Sequence, residues 1–371
     1  MSNLFFYGTL RHVPLLELIM GRSAGDLSAS PATLSDHAVY SVQDQPFPMI
    51  VAEQGTSAEG VLVQGLGEDE RARLAFYEGG FEYDLRLQTV VTGDGEAHQA
   101  LVFFPASVSW KTDSYWDFSA WTSDWGAMSM LAAIEVMAHY GRVEASAIAR
   151  SFPAIRTRAW ARLAARRRET GDARNIAQDV VVHDRTQAYI NYFAMDEIEL
   201  QHRLHNGEMG PVLHRSGMMQ GAAVVVLPYD PVRDTVLLVE QFRAPVFLID
   251  DPEPWMWEPV AGMIDPGETP EQAAHRETME ETQISLTLLE YAGGAYSSSG
   301  SSTEYVHLYI GLGDLTATVE SSGVASEGED IRSKILPFDE FMHMVDGHVF
   351  KDLPLLTLAH WLARNRERLR A

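Results

Sequence analysis

The spacing of hydrophobic and polar positions changes along the chain and predicts three regions. Between residues 3 and 104, short runs rich in β-branched and aromatic residues alternate with Gly, Pro, Asp and Ser, with one helical stretch at 67–78. This pattern predicts a small, mostly β region with one main helix. Helical spacing dominates from 110 to 171. Strand patterns return from about 176 and flank helices, which predicts an α/β/α sandwich.

These changes predict a multidomain chain of the α+β and α/β classes. A length of 371 residues exceeds one typical domain, and the composition shifts place the limits at 1–112, 113–175 and 176–371. Within the middle region we expect one helix to begin at an Asp124 cap. We expect a second helical stretch to break near Pro153.

The charge of the chain bears on its partners. There are 28 basic and 52 acidic residues, a net charge of −24, which argues against general binding to nucleic acid or anionic membranes. The middle region is the exception, because its stretch from 156 to 174 contains seven arginines and only two acidic residues. That run either pairs with acidic parts of the chain or forms a nucleic-acid-binding helix pair. Without a recognition signature, pairing is favoured.

Two further features concern location and ligands. No run of eighteen apolar residues occurs in the sequence. The first residues also lack the pattern of a signal peptide, a basic segment followed by a long apolar one. We therefore expect no membrane span, no signal peptide and a cytoplasmic protein. The chain contains no cysteine, so disulfides and thiolate sites are excluded, and any metal must be bound by oxygen or imidazole.

The segment 262–284 carries the clearest candidate chemistry. Its spacing predicts a helix over 270–282 with Glu277, Glu280 and Glu281 on one face. Carboxylates three and four positions apart repel each other, and a divalent cation such as Mg²⁺ or Mn²⁺ would reverse that effect. The alternative is an acidic, solvated helix face, which three glutamates alone would favour.

The residues around these glutamates resemble the Nudix box. The matching positions are Gly262, Glu268, Arg276, Glu277, Glu280, Glu281 and Ile284. Two positions depart from the family pattern: Thr278 replaces an aliphatic residue, and Gln283 replaces the glycine that ends the helix in a left-handed conformation. Keeping that conformation with glutamine costs about 1 kcal/mol.

Further segments resemble the ADP-ribose or ADP-sugar pyrophosphatase branch of that family. They are LLVEQFR, WEPVAGMIDPGE, SGSSTEYVHLYIG and EGEDIR. The resemblance implies Mg²⁺-dependent hydrolysis of ADP-ribose or a related nucleoside diphosphate sugar to AMP and a sugar phosphate, in a homodimer. The metal ligands it implies are the carbonyl oxygen of Ala261 and the side chains of Glu277, Glu281 and Glu329.

The same resemblance assigns the remaining roles in this region. Glu280 supports the carboxylate cluster, Glu327 is the base that activates water, and Arg243 with Glu258 contributes to substrate binding. Each has an alternative: Glu327 and Glu329 lie in an ordinary acidic loop, and Arg243 simply pairs with Glu258. A domain that binds a nucleotide without turnover is the alternative for the whole region, although a pure sensor has little need for repelling carboxylates.

The first region resembles the gamma-glutamylcyclotransferase-like fold, a small mixed β-barrel. The resemblance rests on YGTLR, EGVLVQGL and LAFYEGGFEYDLRLQTVVT. It implies a loop of Tyr7, Gly8, Thr9 and Leu10 that binds a γ-glutamyl group, with Glu78 as the general base. Alternatively, Tyr7 is an ordinary strand residue and Glu78 a surface residue at a helix end.

The two resemblances together leave open which half carries the main activity. Either the Nudix half or the cyclotransferase-like half does, or both are active. Two-domain Nudix proteins of this kind are described as tellurite-resistance proteins, and no residue of this sequence indicates a link to tellurite.

Overall fold

A computed structural model gives the fold and describes residues 2–23, 26–78, 83–106, 110–168, 174–317, 321–323 and 330–370. Contacts divide the chain into two compact units, Met1–Ser216 and Gly217–Ala371, here called the N-terminal and C-terminal units. The sequence predicted three domains, with limits at 1–112, 113–175 and 176–371, and these limits stay a prediction. None of the described helices is long and apolar enough to cross a membrane.

The N-terminal unit consists of a barrel, two long helices and a small sheet. Its strands are β1 (Ser2–Phe6), β2 (Ser28–Val42), β3 (Pro48–Leu66), β4 (Tyr83–Thr92), β5 (Ala97–Pro105), β6 (Thr112–Tyr115), β7 (Val180–Ile190) and β8 (Ala194–His202). Its helices are α1 (Val13–Met20), α2 (Glu68–Glu78), α3 (Phe118–Met137), α4 (Ala145–Arg166) and α5 (Ile176–Asp179). A short 3-10 turn at Thr9–Arg11 follows β1.

Five strands close the barrel in the order β3-β1-β5-β4-β2, because β2 also pairs with β3. β1 runs parallel to β5, whereas the other neighbours in the ring are antiparallel. Successive side chains of a strand point to opposite faces. Phe5 therefore packs with residues of the other barrel strands, and Leu4 and Phe6 pack in the cluster that includes α1 and α3 residues. The predicted mixed barrel is confirmed.

The two long helices differ from their predicted limits. α3 begins at Phe118, because the side chain of Asp117 caps it by accepting bonds from the backbone N–H groups of Ser119 and Ala120; the expected Asp124 cap was wrong. α4 continues through Pro153, so the expected break was also wrong. Ile148 and Ile155 lie buried on either side of that proline, and this packing outweighs the lost hydrogen bond.

A buried ion pair joins α3 to α4. Arg158 donates through Nε and Nη2 to one oxygen of Glu135 at 2.9 and 2.6 Å, and the side chains are 2% and 7% exposed. Arg158 also donates to the carbonyl of Tyr192, at the turn between β7 and β8. His139, two residues after the end of α3, adds a 2.6 Å contact with Gln187 of β7. The helices and this hairpin are thus fixed to each other.

The C-terminal unit is built on a larger sheet. Its strands are β10 (Ala223–Asp230), β11 (Thr235–Phe242), β12 (Trp255–Glu258), β13 (Val260–Met263), β14 (Leu288–Tyr296), β15 (Tyr305–Leu312), β16 (Ser321–Ser322) and β17 (Ile331–Pro337). Its helices are α6 (Ala244–Leu248), α7 (Pro270–Thr282), α8 (Phe338–Asp346) and α9 (Leu353–Arg370), with a 3-10 turn at Leu315–Ala317. Strand β9 (Leu213–Met219) crosses the limit between the units and belongs to the small sheet, in the order β7-β8-β9.

Helices cover both faces of this sheet. The strand order is β14-β15-β10-β11-β17-β16, with β13 beside β10 and β12 beside β11. All eight residues of β10 are buried. Val225 and Leu227 pack with residues of α8 and α9, including Phe341 and Leu358, and α7 packs against β10 and β13. The predicted α/β/α sandwich is confirmed, as is the predicted helix at 270–282.

Candidate functional site

Helix α7 carries the box glutamates and is fixed at both ends. Thr269 caps its start: the hydroxyl accepts from the backbone N–H of Gln272, whose side chain accepts from the backbone N–H of Thr269. Pro270 occupies the first helical position. The helix ends at Gln283 in the left-handed conformation, with φ at +59°. The helix therefore keeps the left-handed end although glutamine replaces the usual glycine.

Arg276 organises the acidic residues of the box. Nε and Nη2 donate to the two oxygens of Glu268 at 2.8 Å each, and Nη2 also donates to the carbonyl of Met263. Nη1 donates to Glu277 at 2.7 Å and to Glu280 at 3.2 Å. The bond with Glu268 raises the pKa of Arg276, which therefore stays charged. Burial alone would raise the pKa of Glu268, but bonds from Arg276 and the backbone hold it below its usual value.

The carboxylate of Glu277 lies directly against the backbone of Gly262. A Cβ atom built on Gly262 would lie 1.9 Å from both Cδ and Oε1 of Glu277. Only a residue without a side chain allows this approach. The carboxylate is thus held next to β13, in which Ala261 precedes the glycine.

A second charged group lies behind this cluster. Glu281 is 1% exposed, and the charge of Arg243 interacts with it. Arg243 is paired with Glu258, to which Nη2 approaches at 2.6 Å, so these two residues form the ion pair that the sequence offered as an alternative to substrate binding. Burial would lower the pKa of Arg243, but Glu258, Glu281 and Asp352 together raise it.

The oxygen donors of this region suit a hard divalent cation. As the side chains stand, no three acidic or imidazole groups in the described part of the chain form a cluster that could hold an ion, and Arg276 engages Glu277 and Glu280. A carboxylate offers about four acceptor positions, so Glu277 can accept from Arg276 and still ligate a cation. Mg²⁺ also retains waters and takes oxygens from substrate phosphates. The cradle at Gly262 and the all-oxygen donor set therefore fit this metal.

Two predicted residues of this site cannot be located. Glu327 and Glu329 lie outside the described residues. Glu280, by contrast, is half-buried beside Glu277, as the spacing predicted. The structure thus brings together Ala261, Glu277, Glu280 and Glu281 on one side of the sheet.

The N-terminal unit contains a separate cavity of about 350 Å³. The residues predicted from the sequence for this half all line it: Tyr7, Gly8, Thr9, Leu10 and Glu78. Tyr83 lines it as well. Burial raises the pKa of Glu78 to about 7 and raises the pKa of Tyr7 and Tyr83. Glu78 is half-buried and borders the cavity. It is therefore not an ordinary exposed residue at a helix end.

Helices α3 and α4 complete the wall of this cavity. Ser129, Phe152 and Arg156 line it, and none was predicted as a site residue. Arg156 belongs to the basic run, where no motif distinguishes it from its neighbours. Only the packing of α4 against α3 brings it to the barrel.

Comparisons with known proteins find two families in the chain. The family model described as NUDIX domain matches residues 219–357, and the model described as Gamma-glutamyl cyclotransferase, AIG2-like, matches residues 4–125. The resemblance of the sequence to these two families is thereby confirmed.

Curated relatives match the second half of the chain. The ADP-ribose pyrophosphatase of Escherichia coli (strain K12) is 32% identical over 192 residues, covering 52% of this chain and 91% of that protein. The ADP-ribose pyrophosphatase of Haemophilus influenzae is 32% identical over 197 residues, covering 52% and 89%. The GDP-mannose pyrophosphatase of Cronobacter sakazakii is 30% identical over 174 residues, covering 46% and 88%.

Proposed function

Because this chain belongs to the Nudix family of hydrolases, we propose that its C-terminal unit hydrolyses the diphosphate of ADP-ribose or a related ADP-sugar. The products are AMP and a sugar phosphate. The observation that carries the proposal is the Glu277 carboxylate held against Gly262 by Arg276. The names of the relatives, ADP-ribose pyrophosphatase and GDP-mannose pyrophosphatase, support nucleoside diphosphate sugars as the class of substrate.

The proposed metal ligands are Glu277, Glu281, the carbonyl oxygen of Ala261 and, outside the described residues, Glu329. When bound, Mg²⁺ (or Mn²⁺) would neutralise the diphosphate, polarise a phosphorus–oxygen bond and activate water. Nudix hydrolases generally need a divalent metal of this kind.

The protein itself supplies orientation and proton transfer. Arg276 holds Glu277 and Glu280 in position, and Glu268 in turn holds the guanidinium. Glu327 is the proposed base that takes a proton from the attacking water. Arg243 and Glu258 are proposed to position the nucleotide, so their pairing would rearrange on binding. We also propose that the protein acts as a homodimer in the cytoplasm.

The test is AMP release from ADP-ribose with Mg²⁺, comparing the natural chain with Glu281→Gln. We expect turnover to fall by about 100-fold or more in the variant, because a buried ligand loses its charge. Glu340→Gln, an exposed glutamate on α8, is the matched control and should retain full turnover. No turnover by the natural chain, although it binds ADP-ribose, would favour the binding protein instead.

A second activity is proposed for the N-terminal unit. The supporting observation is that the 7–10 loop and the half-buried Glu78 line one cavity. In the proposed reaction the amine nitrogen of a γ-glutamyl group attacks its own γ-carbonyl carbon, and the γ-amide C–N bond breaks. Glu78 takes the proton from the attacking amine and returns it to the departing amine, so the step is balanced.

This second proposal is tested by release of 5-oxoproline from γ-glutamyl-alanine. Glu78→Gln should abolish the release and leave hydrolysis of ADP-ribose unchanged. If neither reaction responds to the substitution, the cyclotransferase proposal is wrong.

A further inference from the structure

Three arginines of helix α4 follow one another at intervals of four residues: Arg158, Arg162 and Arg166. Side chains at this spacing share one face of a helix, with Cβ atoms about 5–6 Å apart. Arg158 pairs with Glu135, as the sequence favours for this basic run. In the part of the chain that the structure describes, neither Arg162 nor Arg166 forms an ion pair. Two cations of this face therefore have no paired carboxylate among the described residues.

The β7–β8 hairpin brings a further arginine to this face. Arg158 donates to the carbonyl of Tyr192 at 2.8 Å, at the hairpin turn, so the arginine face of α4 is directed at the hairpin. On β7, Arg185 and Gln187 point to one side, because both donate to Asp196. Gln187 also contacts the segment that follows α3. Arg185 therefore lies on the side of the hairpin that faces the helices.

The carboxylates on this side of the hairpin are already engaged. Asp196 accepts two hydrogen bonds from Arg185, at 2.8 and 2.5 Å. Glu135 accepts two hydrogen bonds from Arg158. The other two acidic residues of β8 lie one and three positions after Asp196, so their side chains point to the opposite face of the strand. Within the described residues, four guanidinium groups therefore face two carboxylates.

Arg162 lies in the middle of this surplus of positive charge. Burial lowers the pKa of Arg162, the charges of Arg185 and Arg166 lower it further, and the two carboxylates offset this only in part. Like charges at helical spacing repel each other and destabilise the free protein. The chain has 52 acidic residues, so carboxylates that could compensate these arginines are abundant. An arrangement that keeps cations together instead is typical of a site for an anionic ligand.

We propose that Arg162, Arg166 and Arg185, here called the arginine cluster, bind the phosphate group of a small molecule. The two uncompensated positive charges match a phosphate group, which carries about −1.5 to −2 at neutral pH. Planar guanidinium groups bind phosphate oxygens through paired hydrogen bonds. The arginine cluster is separate from the cavity, which is lined by another side of α4. The inference therefore rests on neither of the two proposed activities.

The experiment measures binding of two phosphate compounds to the full-length protein. Inorganic phosphate and glycerol 3-phosphate are titrated by calorimetry in buffer with EDTA, and the tighter ligand tells free phosphate from a phosphate ester. Replacing Arg162 and Arg166 together by glutamine should weaken binding about 10- to 100-fold, the range for loss of charged hydrogen bonds. Arg150→Gln is the matched control. This exposed arginine of α4 lies about 18 Å before Arg162 along the helix axis, and the variant should bind like the natural chain.

Thermal unfolding distinguishes a ligand site from a structural role of these arginines. Phosphate should raise the unfolding midpoint of the natural chain, because it binds the folded state. Arg166→Gln relieves repulsion at an exposed position, so it should not lower the midpoint of the free protein, and it should remove most of the rise that phosphate causes. A lower midpoint together with unchanged phosphate binding shows a structural role and overturns the proposal. So does an equal rise with sodium chloride at matched ionic strength, since that effect is screening.

Nucleic acid, which the sequence left open as a partner of this basic run, is an outcome of the same titration. If a single-stranded oligonucleotide binds through Arg162 and Arg166 and neither small phosphate compound does, the small-molecule site is wrong. Phosphate binding that survives both substitutions also overturns it. None of these measurements uses release of AMP or 5-oxoproline, so the arginine cluster is tested independently of both proposed activities.

Discussion

Replacing Gly262 by alanine should separate activity from stability in the C-terminal unit. The new methyl group would lie 1.9 Å from the Glu277 carboxylate. Ordinary contact between such atoms requires about 3.5 Å, so the carboxylate must move by roughly 1.5 Å. The 2.7 Å hydrogen bond from Arg276 to Glu277 cannot survive a displacement of that size.

The expected loss of activity follows from the displacement of the Glu277 carboxylate. A misplacement of about 1 Å in a catalytic arrangement can cost about 100-fold in rate, or about 2.7 kcal/mol. The fold should lose little, because the displaced atoms are the end of a flexible side chain. Alanine also restricts the unfolded chain more than glycine does, a gain of about 0.5–1 kcal/mol that offsets the lost bond. The net change in unfolding free energy should stay within about 1 kcal/mol.

The assay is AMP release from ADP-ribose with Mg²⁺, together with the thermal unfolding midpoint. Gly217→Ala is the matched control, since a Cβ there meets nothing within 4 Å, and it should change neither quantity. If Gly262→Ala keeps full activity, the close approach of Glu277 is irrelevant to the reaction. If it loses activity only by unfolding, the reasoning about a flexible side chain is wrong.

Three further substitutions test other features. Gln283→Gly should raise the free energy of unfolding by up to about 1 kcal/mol, and with it the thermal unfolding midpoint, because the residue has φ at +59°. Burial raises the pKa of Glu78 from 4.5 to about 7, so the contribution of this group to stability is fully present below pH 4.5 and is lost as the pH rises through 7. Glu78→Gln should therefore be more stable than the natural chain at pH 8, by at most about 3 kcal/mol, but not at pH 4. Arg158→Met should destabilise the N-terminal unit to urea by about 3–5 kcal/mol, because Glu135 is left charged and buried, and adding Glu135→Leu should recover much of that loss.

Local patterns predicted those parts of the molecule that depend on neighbouring residues. The helix over 270–282 was predicted to the residue, because Pro270 suits the first turn and the segment lacks glycine. Its capping box of Thr269 and Gln272 is also visible in the sequence as a Thr-x-x-Gln spacing. The mostly β character of the first region follows from local patterns too, because strand residues and turn residues alternate along it.

Features that depend on tertiary packing could not be predicted. Asp117 rather than the expected Asp124 caps α3, and local chemistry does not distinguish one aspartate from the other as a cap. Packing around Pro153 maintains a helix that the proline alone would interrupt. Arg156 reaches the cavity only through the pairing of α3 with α4, so no spacing in the sequence could distinguish it from the other arginines of its run.

The position of Arg276 has a consequence for how the protein is made. Its guanidinium group pairs with Glu268, Glu277 and Glu280, so the C-terminal unit has an internal cation beside these carboxylates when it leaves the ribosome. We therefore expect that folding does not wait for the proposed magnesium ion, unlike the folding of small domains whose metal is their core. On that proposal, a cell depleted of magnesium should accumulate folded, protease-resistant protein, and restoring the ion should restore turnover without new synthesis.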